Sequence, residues 1–72
     1  MLVYEFKDQN TLGETLGRPL LEYLKNSGYN PKTASNIYIS GRTFCRRIKV
    51  SKPLSREDID LLRCHGITAR RV

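Results

Sequence analysis

Two alternating segments on either side of Ser40 and Gly41 constrain the fold more than any other feature of the chain. Side chains alternate between the two faces of a strand, so a hairpin here sorts them by character. A register that pairs Ile39 with Arg42 brings the apolar residues to one face: Ile37, Ile39, Phe44, Ile48 and Val50. The other face then carries Asn36, Tyr38, Thr43, Cys45, Arg47 and Lys49. The alternation therefore predicts a β-hairpin.

The residues before this hairpin allow an alternative. Asn30 followed by Pro31 is a good helix start, an N-cap with proline at the first helical position. A helix over 32–37 would give a helix-turn-helix motif whose second helix reads base edges in the major groove. Its reading residues would be Lys32, Thr33, Ser35 and Asn36. We favour the hairpin, because two strands with one apolar face account for Ile37-Tyr38-Ile39 better than a short helix does.

The remaining elements have clearer local signals. A β-prone run over 2–6 predicts the first strand. Leucines at helical spacing, with Pro19 in the first turn and Gly28 as a stop, predict a helix over 19–27. Ser55 with Asp58 three residues on predicts the N-terminus of a second helix, which Gly66 ends. A short basic strand over 67–72 follows.

The predicted order is β-α-β-β-α-β. This order favours a small α+β domain over 1–72, with an antiparallel-rich sheet and both helices on one face. The alternative is a helix-turn-helix with a small β wing. The open side of the sheet would display Arg47 and Lys49, with Arg70 or Arg71 depending on register. A core built from 72 residues has a thin stability margin, so a homodimer or stabilisation by a partner is also expected.

The excess of positive charge lies entirely in the second half of the chain. The formal net charge is +6, yet residues 1–41 hold four basic and four acidic side chains and sum to zero. Residues 42–72 hold nine basic side chains against three acidic ones. Such asymmetry favours a polyanionic partner. We expect nucleic acid, DNA rather than RNA, and a transcription regulator of prokaryotic or mobile-element type. The alternative is a modulator or inhibitor that docks on an acidic protein.

Arginine and lysine side chains are the candidate binding residues, because guanidinium groups fit phosphate oxygens and ammonium groups attract them. The predicted phosphate contacts are Arg42, Arg46, Arg47, Lys49, Lys52, Arg70, Arg71 and Lys32. An exposed aromatic ring could stack on an unpaired base. On the first and third strands only Tyr4 and Phe44 could do so, and the hairpin register places Phe44 in the core.

Neither catalysis nor a cofactor is expected. Cys45, Cys64 and His65 lack the fourth ligand of a structural zinc site, and packing explains the thiols. The chain has no phosphate-binding glycine loop and no hydrolase or metalloprotease motif. It also has no apolar run long enough to span a bilayer and no basic leader, so we expect a cytoplasmic protein without membrane contact.

Overall fold

The computed structural model describes residues 2–9 and 14–72. Five strands and two α-helices account for most of them: β1 (Leu2–Asp8), α1 (Arg18–Asn26), β2 (Lys32–Thr33), β3 (Tyr38–Ser40), β4 (Thr43–Val50), α2 (Arg56–Cys64) and β5 (Ile67–Arg71). A single 3₁₀ turn, Glu14–Leu16, precedes α1. The predicted α+β class and β-α-β-β-α-β order are confirmed, with β2 as an additional two-residue strand.

The strands form one antiparallel sheet in the order β2-β4-β1-β5, and β3 pairs with the same edge of β4 as β2 does. Strand β4 thus lies between β1 and the hairpin strand β3, which is the split β-α-β arrangement. The helix-turn-helix alternative is wrong. Residues 31–39 are all described and contain no helix, because this segment extends along β4 and gains ladder hydrogen bonds from it.

The β3–β4 hairpin is confirmed, but its register differs from the predicted one by two residues. Ile39 pairs with Phe44, and the two-residue turn is Gly41-Arg42. Gly41 has a φ of +65° and so occupies the first central position of the turn, where glycine is least strained. A shift of two residues preserves the faces. Tyr38, Cys45, Arg47 and Lys49 therefore share one side of the sheet, as predicted.

The hydrophobic core lies between the helices and the other side of the sheet. Its members are all buried: Tyr4, Phe6, Leu16, Leu20, Leu24, Tyr29, Ile48, Val50, Leu54, Leu62 and Ile67. Both helices contribute leucines to this one cluster, so both lie on the same face of the sheet. Neither helix in the described part of the chain is long and apolar enough to cross a membrane.

Asp58 ties the two helices together. Its carboxylate accepts hydrogen bonds from the Tyr23 hydroxyl at 2.7 Å, from the Ser55 hydroxyl at 2.9 Å and from the Tyr29 hydroxyl. The Asp58 backbone N–H donates to Ser55 Oγ at 3.2 Å, which confirms the predicted N-cap. These bonds lower the pKa of Asp58, the one from Tyr29 most. Burial and the neighbouring Asp58 raise the pKa of Tyr23 to about 12.

Candidate functional site

We call the side of the sheet away from the helices the open face. Most of its charged side chains are positive. Direct cross-strand partners project to the same side, so the register decides its membership. Arg47 and Arg70 flank Glu5 on the two neighbouring strands, and Lys32 pairs with Lys49. Among the described strand residues, the open face carries five cations and one carboxylate: Lys7, Lys32, Arg47, Lys49 and Arg70 around Glu5.

Glu5 lies at the centre of the open face and is only 8% exposed. The Tyr38 hydroxyl donates a hydrogen bond to Glu5 Oε2 at 2.7 Å. Arg47 Nε and Arg70 Nη2 each lie 3.7 Å from a Glu5 carboxylate oxygen, and Lys7 Nζ lies 3.9 Å away. These three distances exceed a hydrogen bond, so the cations are held loosely.

The electrostatics of this cluster keep Glu5 ionised. The Tyr38 hydrogen bond is the largest influence and lowers the pKa of Glu5, assisted by the three cations and opposed by burial. The same hydrogen bond raises the pKa of Tyr38. Glu5 therefore stays negative at neutral pH and offsets only part of the positive charge around it.

The Tyr38 ring lies across the sheet. Tyr38 belongs to β3, whereas its hydroxyl reaches Glu5 on β1, so the side chain crosses β4 between them. Cys45, the β4 residue opposite Tyr38, projects to the same side and is completely buried. Tyr38 itself remains partly exposed, and its side chain crosses the sheet on the side to which Cys45 projects.

The structure brings four of the eight predicted residues together on the open face: Arg47, Lys49, Arg70 and Lys32. Arg42 lies in the hairpin turn, and Arg71 pairs with Tyr4 and so belongs to the helix side of the sheet edge. Lys52 follows β4, with its Nζ 5.0 Å from the centroid of the Tyr29 ring. These three cations are exposed but do not join the cluster around Glu5.

Arg46 projects to the helix side of β4, because it is the cross-strand partner of the core residue Phe6. Its guanidinium donates to the Leu16 carbonyl at 2.9 Å and to the Ser35 carbonyl at 3.3 Å. A third bond joins it to Thr33 Oγ1 at 3.2 Å. Arg46 therefore connects β4 to the segments packed beside it and is not part of the open face.

Sequence reasoning missed Lys7 and Glu5 as members of the site, whereas it placed Tyr38 on this face without its contact to Glu5. The alternation of β1 was the available signal, because Glu5 and Lys7 must oppose the apolar Tyr4 and Phe6. Tyr4 and Phe44, the two aromatics considered for stacking, both lie on the helix side. The Tyr4 hydroxyl accepts a hydrogen bond from the Leu54 backbone N–H at 3.1 Å, which explains its burial.

Two grooves flank α1 on the helix side of the molecule. One, of about 190 Å³, lies between α1 and α2 and has a mainly apolar lining that includes Tyr23 and Leu61. The other, of about 460 Å³, lies between α1 and β2 and includes Leu21 and Pro31. The described residues contain no group of three or more His, Cys, Asp or Glu side chains placed to hold a metal ion. Neither groove therefore replaces the charged cluster around Glu5 as the candidate site.

Comparison of the chain with protein-family models, with curated proteins and with solved structures finds no match. The function of the open face therefore has to be inferred from its own geometry and charge.

Proposed function

We propose that the protein binds nucleic acid through the open face. The observation that carries the proposal is the presence of five cations and a single carboxylate, among the described strand residues, on the side of the sheet opposite the two described helices. Concentrated positive charge of this kind attracts the phosphate backbone regardless of base sequence. DNA is the first ligand to test, and the role that we propose for a DNA-binding form is regulation of transcription.

The two arginines are available for phosphate contacts. The side chains of Arg47 and Arg70 are 49% and 72% exposed, and each lies 3.7 Å from Glu5, beyond hydrogen-bond distance. Phosphate oxygens can therefore accept hydrogen bonds from both guanidinium groups without breaking a well-formed ion pair. Guanidinium groups also present their donors in a planar fork that matches two phosphate oxygens.

The spacing of the cations suits an extended polyanion better than a small anion. Neighbouring strands lie about 4.8 Å apart, so the backbones of β4 and β5, on either side of β1, are about 10 Å apart. Lys32 lies one strand further out, which extends the charged surface across the width of the sheet. Several phosphates of one chain can contact such a surface at once, whereas a single phosphate would engage only part of it.

Fluorescence anisotropy with labelled duplex DNA, single-stranded DNA and RNA at a series of salt concentrations tests the proposal. Five phosphate contacts predict a log–log salt slope of about −4.5 on duplex DNA and about −3.5 on single strands. Absence of binding to all three ligands, or affinity that does not change with salt, would contradict it.

A double substitution locates the binding surface. Arg47→Gln with Lys49→Gln should weaken binding across all sequences alike and reduce the steepness of the salt slope by about 2. The matched control is Lys25→Gln with Arg56→Gln, which removes the same charge from exposed positions on the helices. Equal weakening by both pairs would show that only net charge matters. Retention of an acidic protein, with no nucleic acid bound, would favour the protein-docking alternative instead.

A further inference from the structure

We infer that the ligand of the open face is single-stranded nucleic acid, with one unpaired base stacked on the Tyr38 ring. The inference rests on the proposed function and specifies the form of nucleic acid.

The face is too wide to enter a groove of duplex DNA. Four strand positions span about 14 Å between the outermost backbones, whereas the major groove is about 12 Å wide. A duplex could therefore meet the open face only along its phosphates, with its bases out of reach. A single strand has no such restriction, because its bases can turn toward a flat protein surface while its phosphates contact the cations.

The Tyr38 ring has the properties of a stacking surface. Its hydroxyl is fixed by the 2.7 Å hydrogen bond to Glu5, and its cross-strand partner Cys45 is completely buried on the same side of the sheet. A side chain held in this way loses little conformational entropy when a ligand contacts it. Its outer side is partly exposed. Stacking of one base on such a ring contributes about 5- to 150-fold in affinity, whatever the base.

The surroundings of Tyr38 divide the open face into two parts. Glu5 on β1 is paired with Arg47 on β4 and with Arg70 on β5. Because the Tyr38 hydroxyl bonds to Glu5, two guanidinium groups lie beside the ring. Lys7 on β1 lies in the same cross-strand row as the ring, and the hairpin end of the face carries the hydroxyls of Ser40 and Thr43. A nucleotide can therefore place its phosphate on the arginines and its base over Tyr38, where the hydroxyls can hydrogen-bond base edges.

The test compares Tyr38→Leu with Tyr38→Phe on three ligands: an oligothymidylate, an abasic oligomer of equal length, and a duplex. Tyr38→Leu removes the ring and should weaken oligothymidylate binding at least 5-fold, leaving abasic and duplex binding unchanged. Tyr38→Phe keeps the ring and should bind oligothymidylate within about 2-fold of the original protein. Ile39→Ala, a 66% exposed residue on the opposite side of the same strand, is the matched control and should bind normally.

The original protein alone supplies a further readout. It should bind oligothymidylate at least 5-fold more tightly than the abasic oligomer, which carries the same phosphates. Equal affinity for these two ligands, tighter binding to duplex, or equal losses for Tyr38→Leu on all three ligands would overturn the inference and leave nucleic-acid binding intact. Failure of every nucleic acid to bind would overturn the proposed function together with the inference.

Discussion

Arg46 and Arg47 are adjacent residues of β4 with opposite surroundings. The guanidinium of Arg46 donates three hydrogen bonds, to Leu16, Ser35 and Thr33, on the side of the sheet that packs against the helices. Arg47 lies on the open face, where its nearest anionic neighbour is Glu5 at 3.7 Å. One residue type thus stabilises the fold at one position and is available to a ligand at the next. The face on which an arginine lies matters more than its place in a basic run.

The same contrast holds for the two sides of the sheet as a whole. The helix side buries apolar side chains completely, Phe6 and Ile48 among them. The open face buries one carboxylate and one thiol, Glu5 and Cys45, beneath polar or charged neighbours. Stability is therefore expected to depend on the helix side and binding on the open face. Adjacent residues of one strand allow that division to be tested.

The largest expected difference is between Phe6 and Lys7. Phe6→Ala creates a cavity in the core and should lower the free energy of unfolding by about 3–5 kcal/mol, enough to unfold a domain of marginal stability. Lys7→Ala, at a side chain that is 41% exposed, should change it by less than about 0.5 kcal/mol. Urea unfolding followed by circular dichroism measures both. Comparable losses would show that the open face also carries much of the stability.

Arg46 and Arg47 should separate stability from binding. Arg46→Ala leaves the Leu16 and Ser35 carbonyls without their side-chain donor and should cost about 1–3 kcal/mol of unfolding free energy. Arg47→Ala should leave stability within about 0.5 kcal/mol and weaken nucleic-acid binding. Urea unfolding and anisotropy on the same two variants test this. A stable Arg46→Ala variant with weakened binding would place Arg46 in the binding surface after all.

The smallest expected effect concerns the two carboxylates that accept tyrosine hydrogen bonds. The pKa values of Asp58 and Glu5 are both lowered in the folded protein. Their stabilisation is therefore present above the ordinary carboxyl pKa and is lost as pH falls through the folded value. Asp58→Asn should cost about 1 kcal/mol at neutral pH and flatten the acid branch of the stability profile. Thermal unfolding across acidic pH measures both effects.

Glu5→Gln is the matched substitution on the open face. It removes negative charge from among the cations, so nucleic-acid affinity should increase at neutral pH. The acid branch of the profile of stability against pH should flatten less than in Asp58→Asn. Weaker binding by Glu5→Gln would mean that Glu5 positions the arginines for the ligand, and does more than cancel part of their positive charge.

Local signals predicted much of the fold. Ser55 and Asp58 located the start of α2, Gly66 its end, and the alternation on either side of Gly41 the hairpin and its two faces. The predicted turn at Ser40-Gly41 was wrong by one residue, because the alternation is preserved equally by the observed turn at Gly41-Arg42. In the observed turn Gly41 takes the first central position with a φ of +65°.

The candidate site was predicted less completely, because it depends on pairing between distant strands. Glu5 meets Arg47 and Arg70 only when β1 enters the sheet between β4 and β5, and no local pattern specifies that register. Arg46 is a different case. It lies an even number of residues from Phe44 and Ile48 in β4, so the alternation already placed it on the apolar side. It was nevertheless predicted as a phosphate contact because several basic residues stand beside it in the sequence.

The buried thiol of Cys45 can report on movement of Tyr38, its cross-strand partner on the open face. Cys64 is exposed and Cys45 is completely buried, so a thiol-specific dye will attach to Cys64 while the protein stays folded. With Cys64 replaced by serine, any remaining modification requires Cys45 to become accessible, through movement of β3 with Tyr38 opposite it or through unfolding. The rate of that slow labelling would measure how often the surface opens, and a ligand resting on the ring would slow it further.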